Sequence, residues 1–188
     1  MEKFIKVYDN ILSKELEDRI ESLVLDPSLG PRFPLYYHPN SVQNPKDSTY
    51  YFNPGLFHVF KGNKGSSKSD YGDFLSQVLY NFCSKVNIIL YNYFKGRLYI
   101  DLPSPNPGLD LPPHVDMAGI NHWVLLYYLN DSDGDTVLFK DDMKTEIKRV
   151  SPKKGRIVFF DGSIFHCGSR PSSNTRGALN FNFIGEKL

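Results

Sequence analysis

Cysteine is scarce: Cys83 and Cys167 are the only two in 188 residues, and their spacing makes neither a disulfide framework nor a Cys-x-x-Cys metal site. That usage fits a reducing compartment, and a cytoplasmic location is the expectation. An excess of charge is also missing. With 22 Lys and Arg against 21 Asp and Glu, the net charge of +1 gives no global field to draw the chain to nucleic acid or an anionic membrane. No stretch approaches the ~20 apolar residues of a membrane span. The N-terminus, Met1 to Lys6, lacks the apolar run of a signal peptide. No internal repeat, low-complexity tract or linker divides the chain, so 1–188 is expected to be a single domain.

Aromatic residues are plentiful, with 12 Tyr and 14 Phe, and many fall in the irregular stretch 27–69 among six prolines. Phe33, Tyr36, Tyr37, His38, Tyr50, Tyr51, Phe52 and Phe57 read as rings that cover a sheet edge. A substrate lid is the compatible second reading, since binding residues favour loops on a rigid scaffold. A Gly-Asn-Lys-Gly-Ser-Ser run at 62–67 reads as a loop.

Around that stretch the periodicities are clearer. Phe4 to Leu12 reads as a strand and turn. Ser13 then caps a helix whose stripe is Leu16, Ile20, Leu23 and Val24. Ser69-Asp70 precedes a second apolar stripe running from Phe74 through Val86, Ile89, Leu90 and Tyr93, expected as a helix ending at Gly96. From Arg97 the texture is strand-like: 97–102, 114–116, 121–129, 136–139, 145–150, 156–160 and 178–184. Two helices followed by seven or more short strands predict a mainly β (α+β) jelly-roll barrel. The helices of 1–96 should pack on one outer face, and the barrel should occupy 97–184.

Two polar patterns stand out. In an extended segment His114 and Asp116 point the same way and can converge on one point. A second imidazole would complete a two-His-one-carboxylate set, a ligand triad suited to non-haem iron with open positions, and His166 is the leading candidate for it. His38, His58 and His122 have no carboxylate spaced to join them and read as surface or packed histidines. In the last strand, Arg176, Ala178, Asn180 and Asn182 share one face, opposite the apolar Leu179, Phe181 and Phe183. That strand supplies no acid for a buried arginine, so an incoming carboxylate is the expected partner. Pro171 to Asn174 reads as a turn that would place His166 and Arg176 on neighbouring strands of a hairpin.

The ordered set His114-Val115-Asp116, Tyr127-Tyr128-Leu129-Asn130, Gly134-Asp135-Thr136, Gly155 to Phe160, His166 and Thr175-Arg176 resembles the Fe(II)/2-oxoglutarate-dependent oxygenases, and within them most resembles the prolyl hydroxylases. The resemblance covers about half the chain. It implies a double-stranded β-helix, with His114, Asp116 and His166 as iron ligands and Arg176 paired with the distal carboxylate of 2-oxoglutarate. Tyr128 stands where a family tyrosine assists that arginine, and Leu126 shares its face. Two departures bear on the substrate. The Tyr-Pro-Gly that often precedes the His-x-Asp is replaced by Tyr99-Ile100-Asp101-Leu102-Pro103, where Tyr99 is a candidate substitute. Asn182 stands where some relatives place a bulky aromatic, giving a more polar pocket floor.

The resemblance implies an enzyme using Fe(II), 2-oxoglutarate and O2, with ascorbate as a further candidate. It would hydroxylate a small-molecule or peptide substrate, prolyl or amino-acid-like, with release of succinate and CO2. No protein residue beyond the metal ligands is needed for the chemistry. Two other readings stay open: a non-catalytic jelly roll that binds a small molecule or partner, and an oxidative demethylase of nucleic-acid bases. The balanced charge speaks against the second, although Lys61, Lys64 and Lys68 form a small basic loop.

Overall fold

The computed structural model describes residues 3–26, 28, 33–39, 42–43, 50–51, 54–62 and 69–188. Phe52 of the lid reading, and Lys64 and Lys68 of the basic loop, lie outside the described residues. No described helix is long and apolar enough to cross a membrane.

The N-terminal segment follows its sequence pattern. Strand β1 spans Ile5–Tyr8, and α1 spans Lys14–Leu25 with Ser13 as its N-cap, the Ser13 hydroxyl accepting from the Leu16 N–H at 3.3 Å. Among the described residues of 27–69 are the short strands β2 (Tyr36–His38), β3 (Val42–Gln43) and β4 (Tyr50–Tyr51), and the longer β5 (Gly55–Lys61). Phe33 packs its ring on His58 and Tyr71, with centroids 4.7 and 4.8 Å apart, whereas Tyr36 and Tyr37 stay exposed.

The second helix is shorter than its apolar stripe predicts. Helix α2 spans Gly72–Lys85, with Tyr71 at the N-cap; Ser69 lies just before it and accepts the Tyr71 N–H. The chain reverses at Asn87, whose φ of 56° is left-handed, and then extends as the 14-residue strand β6 (Ile88–Asp101). Val86, Ile89, Leu90 and Tyr93 fit a helical stripe by spacing. The β-branched and aromatic density of Ile88, Ile89, Tyr91, Tyr93 and Phe94 and a long partner strand decide for β.

The remaining strands are β7 (Trp123–Tyr128), β8 (Thr136–Phe139), β9 (Glu146–Val150), β10 (Ile157–Asp161), β11 (Phe165–Gly168) and β12 (Arg176–Lys187). The turn before β10 holds Gly155 at φ +78°, a conformation that glycine adopts without a Cβ clash. One antiparallel sheet has the order β1-β10-β7-β12-β6-β5-β2, and a smaller one has β11-β8-β9. Two apolar layers hold them. On one face of the large sheet, Leu179, Phe181 and Phe183 pack with Leu75, Val78, Leu79 and Phe82 of α2. Between the sheets, Val124, Leu126, Tyr128, Val158 and Ala178 meet Leu138, Val150 and Ile164. Helices outside and two antiparallel sheets facing one another make a double-stranded β-helix.

Strand alternation thus assigns every second residue of the central strands to the space between sheets. The β6–β12 register pairs Asp101 with Arg176, Tyr99 with Ala178, Arg97 with Asn180 and Lys95 with Asn182. Two rows of polar side chains therefore lie next to each other on the inner face.

Candidate metal centre

His114, Asp116 and His166 come together: one ligand atom from each lies within 4.8 Å of the others. The segment 114–116 is not a regular strand. His114 forms an isolated antiparallel bridge with His166, its N–H donating to the His166 carbonyl at 3.0 Å and its carbonyl accepting the His166 N–H at 2.9 Å. That pairing puts the two imidazoles on one side, with ring centroids 4.8 Å apart. The chain bends at Asp116, whose Oδ2 lies 3.8 Å from His166 Nε2.

Each imidazole is oriented through its far nitrogen. His114 Nδ1 lies 3.3 Å from the Pro112 carbonyl and His166 Nδ1 lies 3.1 Å from that of Ile164. A backbone carbonyl at Nδ1 selects the tautomer with the proton there and leaves the Nε2 lone pair free to ligate. Burial pulls the His166 pKa down to about 4, with His114 acting in the same direction and Asp116 opposing. His166 is therefore a neutral ligand at physiological pH.

Asp116 is held by three donors. Lys95 Nζ donates to Oδ1 at 2.7 Å, while Asn180 and Asn182 donate their side-chain amides to Oδ2 at 2.9 and 3.2 Å. Burial pushes the carboxyl pKa up, but the His166, Lys95 and His114 fields and the Lys95 hydrogen bond outweigh it and hold it well below the usual range. Two imidazoles with free Nε2 atoms and one fixed carboxylate fit a facially bound iron by donor chemistry, and they leave other positions open.

A cavity of about 110 Å³ opens on these ligands and is lined also by Tyr99, Asp101, Leu126, Thr136, Arg176 and Asn180. That is well under the ~300–1,000 Å³ of drug-sized sites, so it suits a small acid. An open groove of about 900 Å³ beside α1, lined by Lys14, Asp18, Arg19 and Phe74 among others, is larger but has no converging ligand set. The converging ligand set lies at the smaller cavity.

Arg176 is buried at this cavity, but its surroundings differ from the sequence expectation in two ways. It has an internal acid: Nη1 donates to Asp101 Oδ2 at 2.9 Å, the carboxylate coming from its register partner on β6 rather than from its own strand. It also does not sit in a hairpin with His166. Strand β11 pairs with β8 in the small sheet and β12 with β6 and β7 in the large one, so the two residues face each other across the barrel. Arg176 Nη2 also donates to Thr136 Oγ1 at 2.8 Å, and Tyr128 donates its hydroxyl to the same oxygen at 2.6 Å. Tyr128 thus meets the arginine at its hydroxyl, which it shares with Thr136, and at its ring face, 5.4 Å from the guanidinium. The Arg176 Nε–H is buried with no partner among the described residues. Leu126 and Tyr99 line the cavity. Asn182 does not: fully buried, it bonds Asp116 and Asn180 instead.

Lys95 was missed by sequence reasoning because residues up to Gly96 were assigned to a helix, and Arg97 and Asp101, inside the expected strand 97–102, because nothing local shows which face of that strand meets the site. Their alternation with Tyr99, Lys-x-Arg-x-Tyr-x-Asp, was the available signal. The other histidines are packed. His58 lies 2.7 Å from the Ser69 hydroxyl, and His122 Nδ1 lies 2.7 Å from the Ile120 carbonyl. Both cysteines are free and buried, and burial pushes each thiol up to about 12, so neither is a thiolate at neutral pH.

The His166 shift sets a pH dependence for the metal-free protein. Between about 4 and the ordinary 6.5 the unfolded chain takes up a proton that the folded one refuses, so stability is full above 6.5 and falls as pH drops toward 4. The loss should reach about 2–3 kcal/mol by pH 4.5, or roughly 4–12 °C in melting temperature for a chain of this size. Calorimetry at pH 7 and 4.5 measures it; an unchanged or higher melting point at pH 4.5 contradicts the buried neutral imidazole.

Comparison with known proteins agrees with this geometry. Residues 101–184 match the family model described as the 2OG-Fe(II) oxygenase superfamily. No curated protein matches the chain in sequence. Among solved structures, an oxidoreductase of the 2OG-Fe(II) oxygenase family from Burkholderia pseudomallei superimposes with a TM-score of 0.67 at 10% identity, over 95% of this chain and 84% of that one. A prolyl hydroxylase from Trichoplax adhaerens, in complex with a hypoxia inducible factor peptide fragment, gives 0.64 at 15% identity over 96% and 83%. A prolyl-4-hydroxylase from Pseudomonas putida gives 0.59 at 15% identity over 95% and 91%. At these identities the structural likeness establishes the fold, while the match to the 2OG-Fe(II) oxygenase superfamily model spans residues 101–184, the segment that contributes all three converging ligands.

Proposed function

We propose that this chain is an Fe(II)- and 2-oxoglutarate-dependent oxygenase that hydroxylates a small-molecule or peptide substrate carrying a prolyl or amino-acid-like group. The observation that carries the reading is the convergence of His114, Asp116 and His166 at a small cavity that also exposes a buried arginine. His114 and His166 would bind the iron through Nε2 and Asp116 through a carboxylate oxygen, with Lys95, Asn180 and Asn182 fixing the carboxylate. Arg176, whose Nε–H has no partner among the described residues, would hold the distal carboxylate of 2-oxoglutarate, and Thr136 and Tyr128 fix the guanidinium. When bound, iron, 2-oxoglutarate and O2 supply C–H hydroxylation with release of succinate and CO2. The apolar walls, Leu126 and Ala178 among them, would keep bulk water from the cavity. A prolyl substrate has only the structural likeness to prolyl hydroxylases behind it.

Anaerobic addition of Fe(II) and 2-oxoglutarate tests the reading. A visible metal-to-ligand charge-transfer band that needs both additions is the expected result, followed by succinate release in air. Absence of the band with a correctly folded protein would overturn it.

A further inference from the structure

A second chamber, of about 270 Å³, adjoins the metal cavity and shares Tyr99 and Asp101 with it. Its other walls are His38, Gly55, Leu56, Phe57, Val59 and Arg97. The β5–β6 register sets Phe57 opposite Tyr99 and Val59 opposite Arg97, so this chamber lies over the strand pair next to the metal side of β6. Its lining is apolar and aromatic apart from a few polar groups, the character of a small-ligand site.

The cations of β6 differ in how they are satisfied. Lys95 is neutralised by Asp116. Arg97 is half-buried, and no described carboxylate lies within ion-pair distance of it. Its Nη1 donates to the Tyr99 hydroxyl at 3.1 Å, and its Nε–H is buried without a partner among the described residues. Asp116, the carboxylate whose field reaches it, is already bonded by Lys95, Asn180 and Asn182. A partly desolvated guanidinium with free donors is unfavourable alone, and a carboxylate matches its planar fork.

We propose that this chamber receives the prime substrate and that Arg97 binds a carboxylate on it, so that the substrate is a small carboxylic acid with an apolar body. The inference rests on the oxygenase reading of the adjoining cavity. Phe57 and Tyr99 would flank the apolar part, and the shared wall at Tyr99 and Asp101 would present the substrate to the metal centre. A substrate without the carboxylate would leave the Arg97 donors unpaired, which is how the site would discriminate.

The probes are apolar L-amino acids (proline, leucine and phenylalanine), each paired with its amino-acid amide. Binding is measured by ligand-detected NMR on protein loaded with Mn(II) or Zn(II) as appropriate to the readout, with 2-oxoglutarate present and absent. At least one acid should bind at millimolar concentration or tighter, and its amide about tenfold or more weaker. Arg97→Met should abolish that preference while 2-oxoglutarate affinity changes less than about threefold; Arg97→Lys should restore part of it, since it returns the charge but not the fork. Equal binding of acids and amides, no acid binding at ~10 mM, or an acid preference that survives Arg97→Met each overturns the proposal. So does tighter binding of a tripeptide acid ending in the same residue. Failure of metal and 2-oxoglutarate binding would instead overturn the oxygenase reading, and the acid-against-amide comparison on unloaded protein still scores Arg97.

Discussion

Replacing His114, Asp116 or His166 by Ala is expected to abolish tight Fe(II) binding, because each supplies one of the three ligand atoms that meet within 4.8 Å. The loss should exceed the ~10–100-fold that follows removal of a residue supporting a ligand. The three variants should differ in stability, and that difference comes from Lys95. His114→Ala and His166→Ala remove groups whose hydrogen bonds among the described residues are to the Pro112 and Ile164 carbonyls, so the metal-free fold should tolerate them. Asp116→Ala leaves the ammonium of Lys95, whose side chain is 9% exposed, without its counter-charge. Stranding one member of a buried pair costs about 3–5 kcal/mol, and the double variant Asp116→Ala with Lys95→Met should recover much of that. Metal titration with Fe(II) or Co(II) and a melting curve on each variant check both halves. Retention of tight binding by any single variant would remove that residue from the ligand set.

The second large effect is expected at Arg176. Arg176→Ala should weaken 2-oxoglutarate binding several hundred-fold or more, the equivalent of a buried charged contact worth about 3–5 kcal/mol. Arg176→Lys should weaken it less, by keeping charge without the bidentate fork. Stability alone cannot separate a binding arginine from a structural one here, because Arg176→Ala also strands Asp101, its ion-pair partner at 2.9 Å. Asp101→Asn separates them. If the Asp101 carboxylate and the co-substrate carboxylate compete for the same guanidinium, Asp101→Asn should lower the melting temperature and tighten 2-oxoglutarate binding. A scaffold arginine predicts the lower melting temperature with no change in binding. Weaker binding in Asp101→Asn would mean that Asp101 aims the guanidinium instead of competing for it. Isothermal titration on the metal-loaded, oxygen-free protein reads the affinity directly.

Those two experiments turn on contacts, Lys95 with Asp116 and Asp101 with Arg176, that no local pattern reveals. What the sequence determined was local. Ser13 ahead of an amphipathic stripe specifies the start of α1, since a cap needs only a side-chain oxygen and the next turn of backbone. Alternation along 176–183 separates the apolar face that packs on α2 from the polar face turned between the sheets. His114, Asp116 and His166 could be proposed as one cluster because their residue types and order are those of a ligand triad. The tertiary structure decided how segments distant in the chain meet. It made 88–101 a strand, where the side-chain spacing also suited a helix, because a 12-residue pairing with β12 satisfies backbone groups that no helix could offer that sheet. It joined His114 to His166 through a single bridge instead of a strand, and set Arg176 across the barrel from His166. Register along β6 and β12 then fixed which charge met which, because a shift of one residue would have turned Lys95, Arg97 and Asp101 to the apolar face against the helices.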